Sequence, residues 1–276
     1  MPNPVLSDKA LRNAAAAGSS ATNAGWAAPN PAATYLPVPP LSDGPVSAYS
    51  SEHMTLAGTS TAAGVLFAVL LASAAVGWSL VKVTEAGIKF PGWLIVNIIV
   101  GFVMAIVLSR KPQLARILAP IYSVVQGVFL GAISHLYDAR YSGIVVQAVG
   151  ATVAVTGVMF FLWKTQVIKV TDRFRRTIVG ATMGLMVFYG ISMLLSLFGV
   201  TVPFLNSSSG LGILFSVVAA GLAAFNLALD FDSIERGVAA RMPKHMEWYA
   251  AFGLMVTVVW LYLELLRLLA KLQDRR

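Results

Sequence analysis

Four carboxylates carry the chemistry open to this sequence. Asp230, Asp232 and Glu235 follow a long uncharged run that begins near Leu211, and Glu264 lies inside the last apolar run, with Arg267 three residues on. A charge held at the centre of a bilayer costs roughly 2.5 kcal/mol or more, so an acid kept there is a candidate proton or cation site. Each has two readings. Asp230 is either a solvated helix end or an inward-facing ion site; acids near a helix C-terminus oppose the macrodipole, which argues against capping as their purpose. Asp232 stands two residues from Asp230 and Glu235 five, so the three cannot share one helical face and at least one is interfacial. Glu264 is either the ion-pair partner of Arg267 on the same face or a carboxylate facing the bundle interior that holds a proton or cation.

The elements that must position these acids are membrane spans. Hydrophobic residues make up 57% of the 276 positions and charged residues 12%, and the mean hydropathy is +0.75. A soluble domain carries about 25% charge, and so apolar a chain has too little polar surface to cover a water-soluble core. Crossing the hydrocarbon takes about 20 apolar residues. Runs of that length fall at 59–81, 90–109, 117–137, 141–163, 177–199, from 211 to about 230, and from 247 to about 272. Seven spans predict an all-α integral membrane bundle over residues 54–276. Spans three and four, separated only by Asp138-Ala139-Arg140, must form a tight helical hairpin. Residues 1–53 are rich in Ala, Pro, Ser, Gly and Asn and lack an apolar core, which predicts a disordered tail.

Charge sets the orientation. The segments after spans two, four and six hold eleven Lys and Arg, including Arg110, Lys164, Lys169, Arg175 and Arg236; those after spans one, three and five hold three. The positive-inside rule places the first set and the N-terminal tail in the cytoplasm, and Asn206 outside. The net charge of +8 is spread between apolar runs, so it reads as topology and not as a nucleic-acid footprint. Trp93, Trp163 and Trp248 fall near span ends, where amphipathic rings favour the interface. Gly127 and Gly131, and Gly180 and Gly184, have the spacing that lets helices approach closely. Asn97, Gln126, Gln147 and Asn226 are polar residues within spans, best read as helix-to-helix hydrogen bonders.

Enzyme signatures are missing. There are no cysteines, so disulfides and thiol catalysis are excluded. His53, His135 and His245 are too scattered for a zinc helix. Ser207-Ser208-Ser209-Gly210 lacks the strand-turn-helix setting of a nucleophile elbow. The expectation is a protein that is not an enzyme and needs no cofactor.

Three stretches resemble the Bax-inhibitor family, the transmembrane Bax inhibitor motif proteins with their bacterial YccA-like members. Span three reads Ile121-Tyr122-Ser123-Val124-Val125-Gln126-Gly127-Val128-Phe129-Leu130-Gly131, span six ends Leu229-Asp230-Phe231-Asp232-Ser233-Ile234, and span seven holds Leu261-Tyr262-Leu263-Glu264-Leu265-Leu266. The resemblance covers about residues 54–270, and Pro243-Lys244 with Met246-Glu247-Trp248-Tyr249 is similar to a bacterial branch. It implies a seven-helix bundle with the last helix at its centre, set in a bacterial plasma membrane. It implies a pH-sensitive calcium leak, or alternatively an interaction protein that modulates a membrane protease or other partner. It further implies a two-carboxylate sensor at Asp230 and Glu264, sharing a proton or a calcium ion and latched by Arg110. This chain departs from the family in having Glu, one methylene longer, as the second acid, and in a longer stretch between the acids. Calcium suits such a site because it prefers oxygen ligands in irregular geometry.

Overall fold

Long uncharged sequences leave the backbone no partner in lipid except itself, so each expected run closes its own hydrogen bonds as a helix. The computed structural model describes residues 53–81, 92–199 and 207–275. All of the expected tail over residues 1–53 except His53, together with Lys82, Glu85, Lys89, Pro203 and Asn206, lies outside them. The described helices are α1 Leu56–Leu80, α2 Trp93–Arg110, α3 Ala115–Arg140, α4 Ile144–Lys164, α5 Asp172–Leu197, α6 Gly210–Ala239 and α7 Met246–Gln273, with a 3-10 turn at Pro112–Leu114 between α2 and α3. All seven are long and apolar enough to cross a membrane. Side-chain oxygens start three of them: Thr55 accepts from the amide of Gly58, Thr171 from Phe174 and Ser209 from Gly212.

α7 is the centre of the bundle, as the resemblance implied. It packs against α1, α3, α4 and α6, whereas α2 lies chiefly on α3, and α5 on α6. Burial follows the same order: 44% of the most apolar stretch of α3 and of α7 is buried, against 17% for α2 and 11% for α5. The outer helices therefore give their apolar faces to lipid.

Glycine sets the tightest contact, between α1 and α3. A Cβ on Gly127 would stand 1.9 Å from Ser73 Oγ and 2.3 Å from the Leu70 carbonyl oxygen; one on Gly131 would stand 1.8 Å from the Ala74 carbonyl oxygen. Gly77 answers from α1, where a Cβ would lie 2.1 Å from the Val128 carbonyl oxygen. The expected close approach holds for this pair. For Gly180 and Gly184 it does not: a Cβ on either would meet no atom within 4 Å, because α5 turns that face away from its neighbour.

Two element boundaries differ from the expected ones. α3 runs on through Arg140, and the hairpin turn falls at Tyr141–Gly143 instead, with Gly143 at φ 78° and its amide donating to Asp138 Oδ1 at 3.0 Å. α6 continues nine residues beyond Asp230, so Asp230, Asp232 and Glu235 sit within the helix and not at its end. It continues because Ile234 and Gly237 still pack, and because arginines neutralise Asp232.

Adjacent helices alternate in direction, which gathers Arg110, Lys164, Lys169, Arg175 and Arg236 at one end of the bundle, called here the basic end. The chain is fastened there. The Met54 amide donates to the Met242 carbonyl at 2.6 Å, and buried Glu247 accepts from the Thr55 amide at 3.0 Å and hydroxyl at 2.9 Å. A carboxylate at the start of α1 also suits the positive end of that helix. Because the chain is free of cysteine, a single Lys169→Cys label reports sidedness. Labelling is expected only from the cytoplasmic face, and labelling from outside intact cells would reverse the orientation.

Candidate functional site

The inward face of α7 carries a line of polar side chains. Thr257, Glu264 and Lys271 are all buried there. They are spaced by seven residues, which returns each to nearly the same face of the helix, about 10.5 Å further along at 1.5 Å per residue. Nearest the basic end, Asp230 of α6 adjoins Thr257. Its Oδ2 is buried with no hydrogen-bond partner among the described residues, while the Thr257 hydroxyl donates to the Gly253 carbonyl at 3.2 Å.

Glu264 lies two helical turns beyond Thr257 and is only 2% exposed. Its Oε1 accepts from Tyr189 Oη at 2.9 Å, from Trp260 Nε1 at 3.2 Å and from Arg267 Nη1 at 3.3 Å; its Oε2 lies 3.2 Å from the same Arg267 nitrogen. Arg267 Nη1 also donates to Tyr189 Oη at 2.9 Å, and the guanidinium stands 5.2 Å from the Tyr189 ring centroid. Glutamate, arginine and tyrosine thus form a closed triangle. Such pairing offsets the desolvation of a buried carboxylate, which costs several kcal/mol per ion. Beyond it, Lys271 Nζ donates to Ser216 Oγ and to the Gly212 carbonyl, each at 2.9 Å.

These positions revise the expected sensor. Asp230 and Glu264 face the interior but do not meet: Asp230 stands at the level of Thr257, two turns from Glu264, so the two do not share one proton or one calcium ion in this arrangement. Each belongs to a separate station. Arg110 is exposed at the end of α2 and joins none of the ion pairs among the described residues; α2 packs on α3, which keeps it away from the acids. The cation on Glu264 is Arg267, so the local ion pair and the inward carboxylate, set as alternatives from sequence, coexist. Asp232 is clamped by Arg175 Nη2 at 2.5 Å and Arg236 Nε at 2.8 Å, and Arg236 Nη2 donates to the Val170 carbonyl at 3.2 Å, fastening α6 to the start of α5. No group of three or more His, Asp or Glu able to hold a metal ion occurs among the described residues.

Sequence reasoning missed Tyr189, Trp260 and Lys271. Trp260 and Lys271 were legible in principle, since i−4 and i+7 from Glu264 share its face. Tyr189 is brought by another helix, and nothing in the linear chain announces it. Asn226 and Asn97 behave as helix bonders: Asn226 Nδ2 donates to Thr182 Oγ1 at 2.8 Å and Asn97 Nδ2 to the Val125 carbonyl at 3.1 Å.

A central helix with buried acids, packed against four of six others that are, like it, long enough to span a bilayer, defines a multi-pass integral membrane protein. The chain belongs to the Bax inhibitor 1 like family, whose match runs over residues 3–274, beyond the stretch on which the resemblance rested. Neither the curated proteins nor the solved structures gave a match.

Proposed function

We propose that the protein is a passive, pH-gated pathway for cations, calcium among them, running along the seam between α6 and α7 of a bacterial plasma membrane. Its activity is conduction and not catalysis. The observation that carries the proposal is the spaced line of buried polar groups on the central helix, with Asp230 at one station and Glu264 at the next. Intramembrane acids facing a bundle interior mark ion or proton routes by default. Asp230, whose Oδ2 has no hydrogen-bond partner among the described residues, is the cation-attracting station. The Glu264–Arg267–Tyr189 triangle is the gate: its arginine stands in the path, held there by the glutamate charge. Loss of that charge releases the arginine and opens the seam. Purified protein in calcium-free liposomes is expected to admit external calcium faster than protein-free liposomes, and faster at pH 6 than at pH 8. Uptake equal to that of empty liposomes at both pH values would end the proposal.

One observation favours a second reading, that the protein restrains a membrane protease or another membrane partner. Gly180 and Gly184 leave an open small-residue face on α5, a helix with one main neighbour, and such faces admit another helix closely. Silent liposomes would leave this reading ahead.

A further inference from the structure

We infer that the groove between α1 and α4 holds one acyl chain of an anionic glycerophospholipid whose phosphate is met by Lys164. The cavity there measures about 990 Å³, at the top of the usual range for small-molecule sites. α1 and α4 flank it, and α3 and α7 form its floor, through residues such as Leu70, Ala74, Gly131, Val153, Gly157 and Val259. Val153 and Leu71, both in its wall, are 68% and 64% exposed, so the groove is open along the side that faces lipid. In a seven-span protein the medium against that side is hydrocarbon.

The register of α4 identifies what enters. Val145, Val149, Val153, Gly157 and Phe160 form one stripe along the groove, about 22 Å long at 1.5 Å per residue. One leaflet's chain spans about 15 Å, half of a hydrocarbon core of about 30 Å, so a single chain fits within it lengthwise. The next residue on the stripe, four beyond Phe160, is Lys164, exposed at the basic end of the bundle. Phe160, Trp163 and Phe231 cluster at the same mouth, with Phe160 and Phe231 edge to face at 5.3 Å. An apolar slot, an aromatic rim and a cation in register match the order of chain, glycerol and phosphate in a phospholipid. A cation near the surface attracts anionic headgroups.

The test uses the full-length protein in nanodiscs made of equal parts phosphatidylglycerol and phosphatidylcholine with identical chains. The protein is then released into the gas phase, and its retained lipids are counted by mass. Wild type is expected to keep one phosphatidylglycerol, favoured about fivefold over phosphatidylcholine. Lys164→Gln should bring the two lipids to parity while a chain is still held. Gly157→Phe should abolish retention; the position is open, since a Cβ there meets nothing within 4 Å, so the ring enters the groove without displacing backbone. Thr156→Val should change nothing, although the buried Thr156 hydroxyl in the wall has no hydrogen-bond partner among the described residues, because an acyl chain offers it none. Equal retention of the two lipids by wild type, or undiminished retention by Gly157→Phe, would reduce the groove to ordinary annular lipid and overturn the inference. Loss of binding in Thr156→Val would assign the groove to a ligand with a polar ring and overturn it equally, as would a protein segment found there.

Discussion

Replacing Arg267 with glutamine is expected to raise calcium leak at pH 8 by about tenfold, because losing about 1.4 kcal/mol from the closed state shifts a two-state population tenfold. Among the described residues Arg267 is the one cation that touches Glu264, and it is held by the carboxylate, by Tyr189 Oη and by the face of the Tyr189 ring. Glutamine keeps a donor but loses the charge and the forked geometry, so the triangle no longer closes. The Glu264 charge then stands without its counter-ion on the line of approach from Asp230, and a passing cation takes the place of the guanidinium. The comparison variant is Arg110→Ala, expected to leave the leak unchanged because Arg110 is exposed and outside every ion pair among the described residues. A raised leak in Arg110→Ala with none in Arg267→Gln would return the latch to the end of α2 and discard the triangle as gate.

The second large effect falls on stability. Gly131→Ala is expected to lower the melting temperature of the detergent-solubilised protein by about 2–12 °C, from an overpacking cost of about 1–3 kcal/mol and a shift of roughly 2–4 °C per kcal/mol. The added methyl would stand 1.8 Å from the Ala74 carbonyl oxygen and 2.8 Å from the Trp78 amide nitrogen, both backbone atoms, so α1 itself must move. Gly184→Ala carries the same change in composition into open space and is expected to stay within about 0.5 kcal/mol of wild type, the range of ordinary surface substitutions. Circular dichroism melts of the two variants check this. Equal melting temperatures would mean that the α1–α3 contact does not depend on glycine.

These two glycine pairs also show where a linear chain stops being informative. Both have the same spacing, yet only Gly127 and Gly131 meet another helix. Which face a helix turns inward depends on what the other helices leave open, and α5 has one main neighbour where α3 has several. The spans themselves were legible because apolar length is a local property and lipid tolerates nothing else. The end of α6 was misplaced because three acids look like a boundary until Arg175, far away in sequence, is seen to neutralise one of them. The acids were found by the same reasoning that exposed their cost, a charge inside an apolar run. Their separation was not legible: it depends on the axial stagger of α6 against α7, which sets Asp230 beside Thr257. The role of Glu247 was not legible because it opens a helix, where acids are common, and its lock on Thr55 is made across 192 residues of sequence.

The central claim is that Asp230 and Glu264 are two stations of one conducting seam, the first attracting the cation and the second gating it. Its most direct test is calcium uptake into liposomes measured from pH 5.5 to 8.5 for wild type, Asp230→Asn and Glu264→Gln, each confirmed as folded by its helical circular dichroism. Wild-type uptake is expected to rise as pH falls. Glu264→Gln, which lacks the charge that holds Arg267, should give high uptake across the range, and Asp230→Asn should give low uptake throughout. Two acid variants with wild-type rates and the wild-type pH profile would contradict the account.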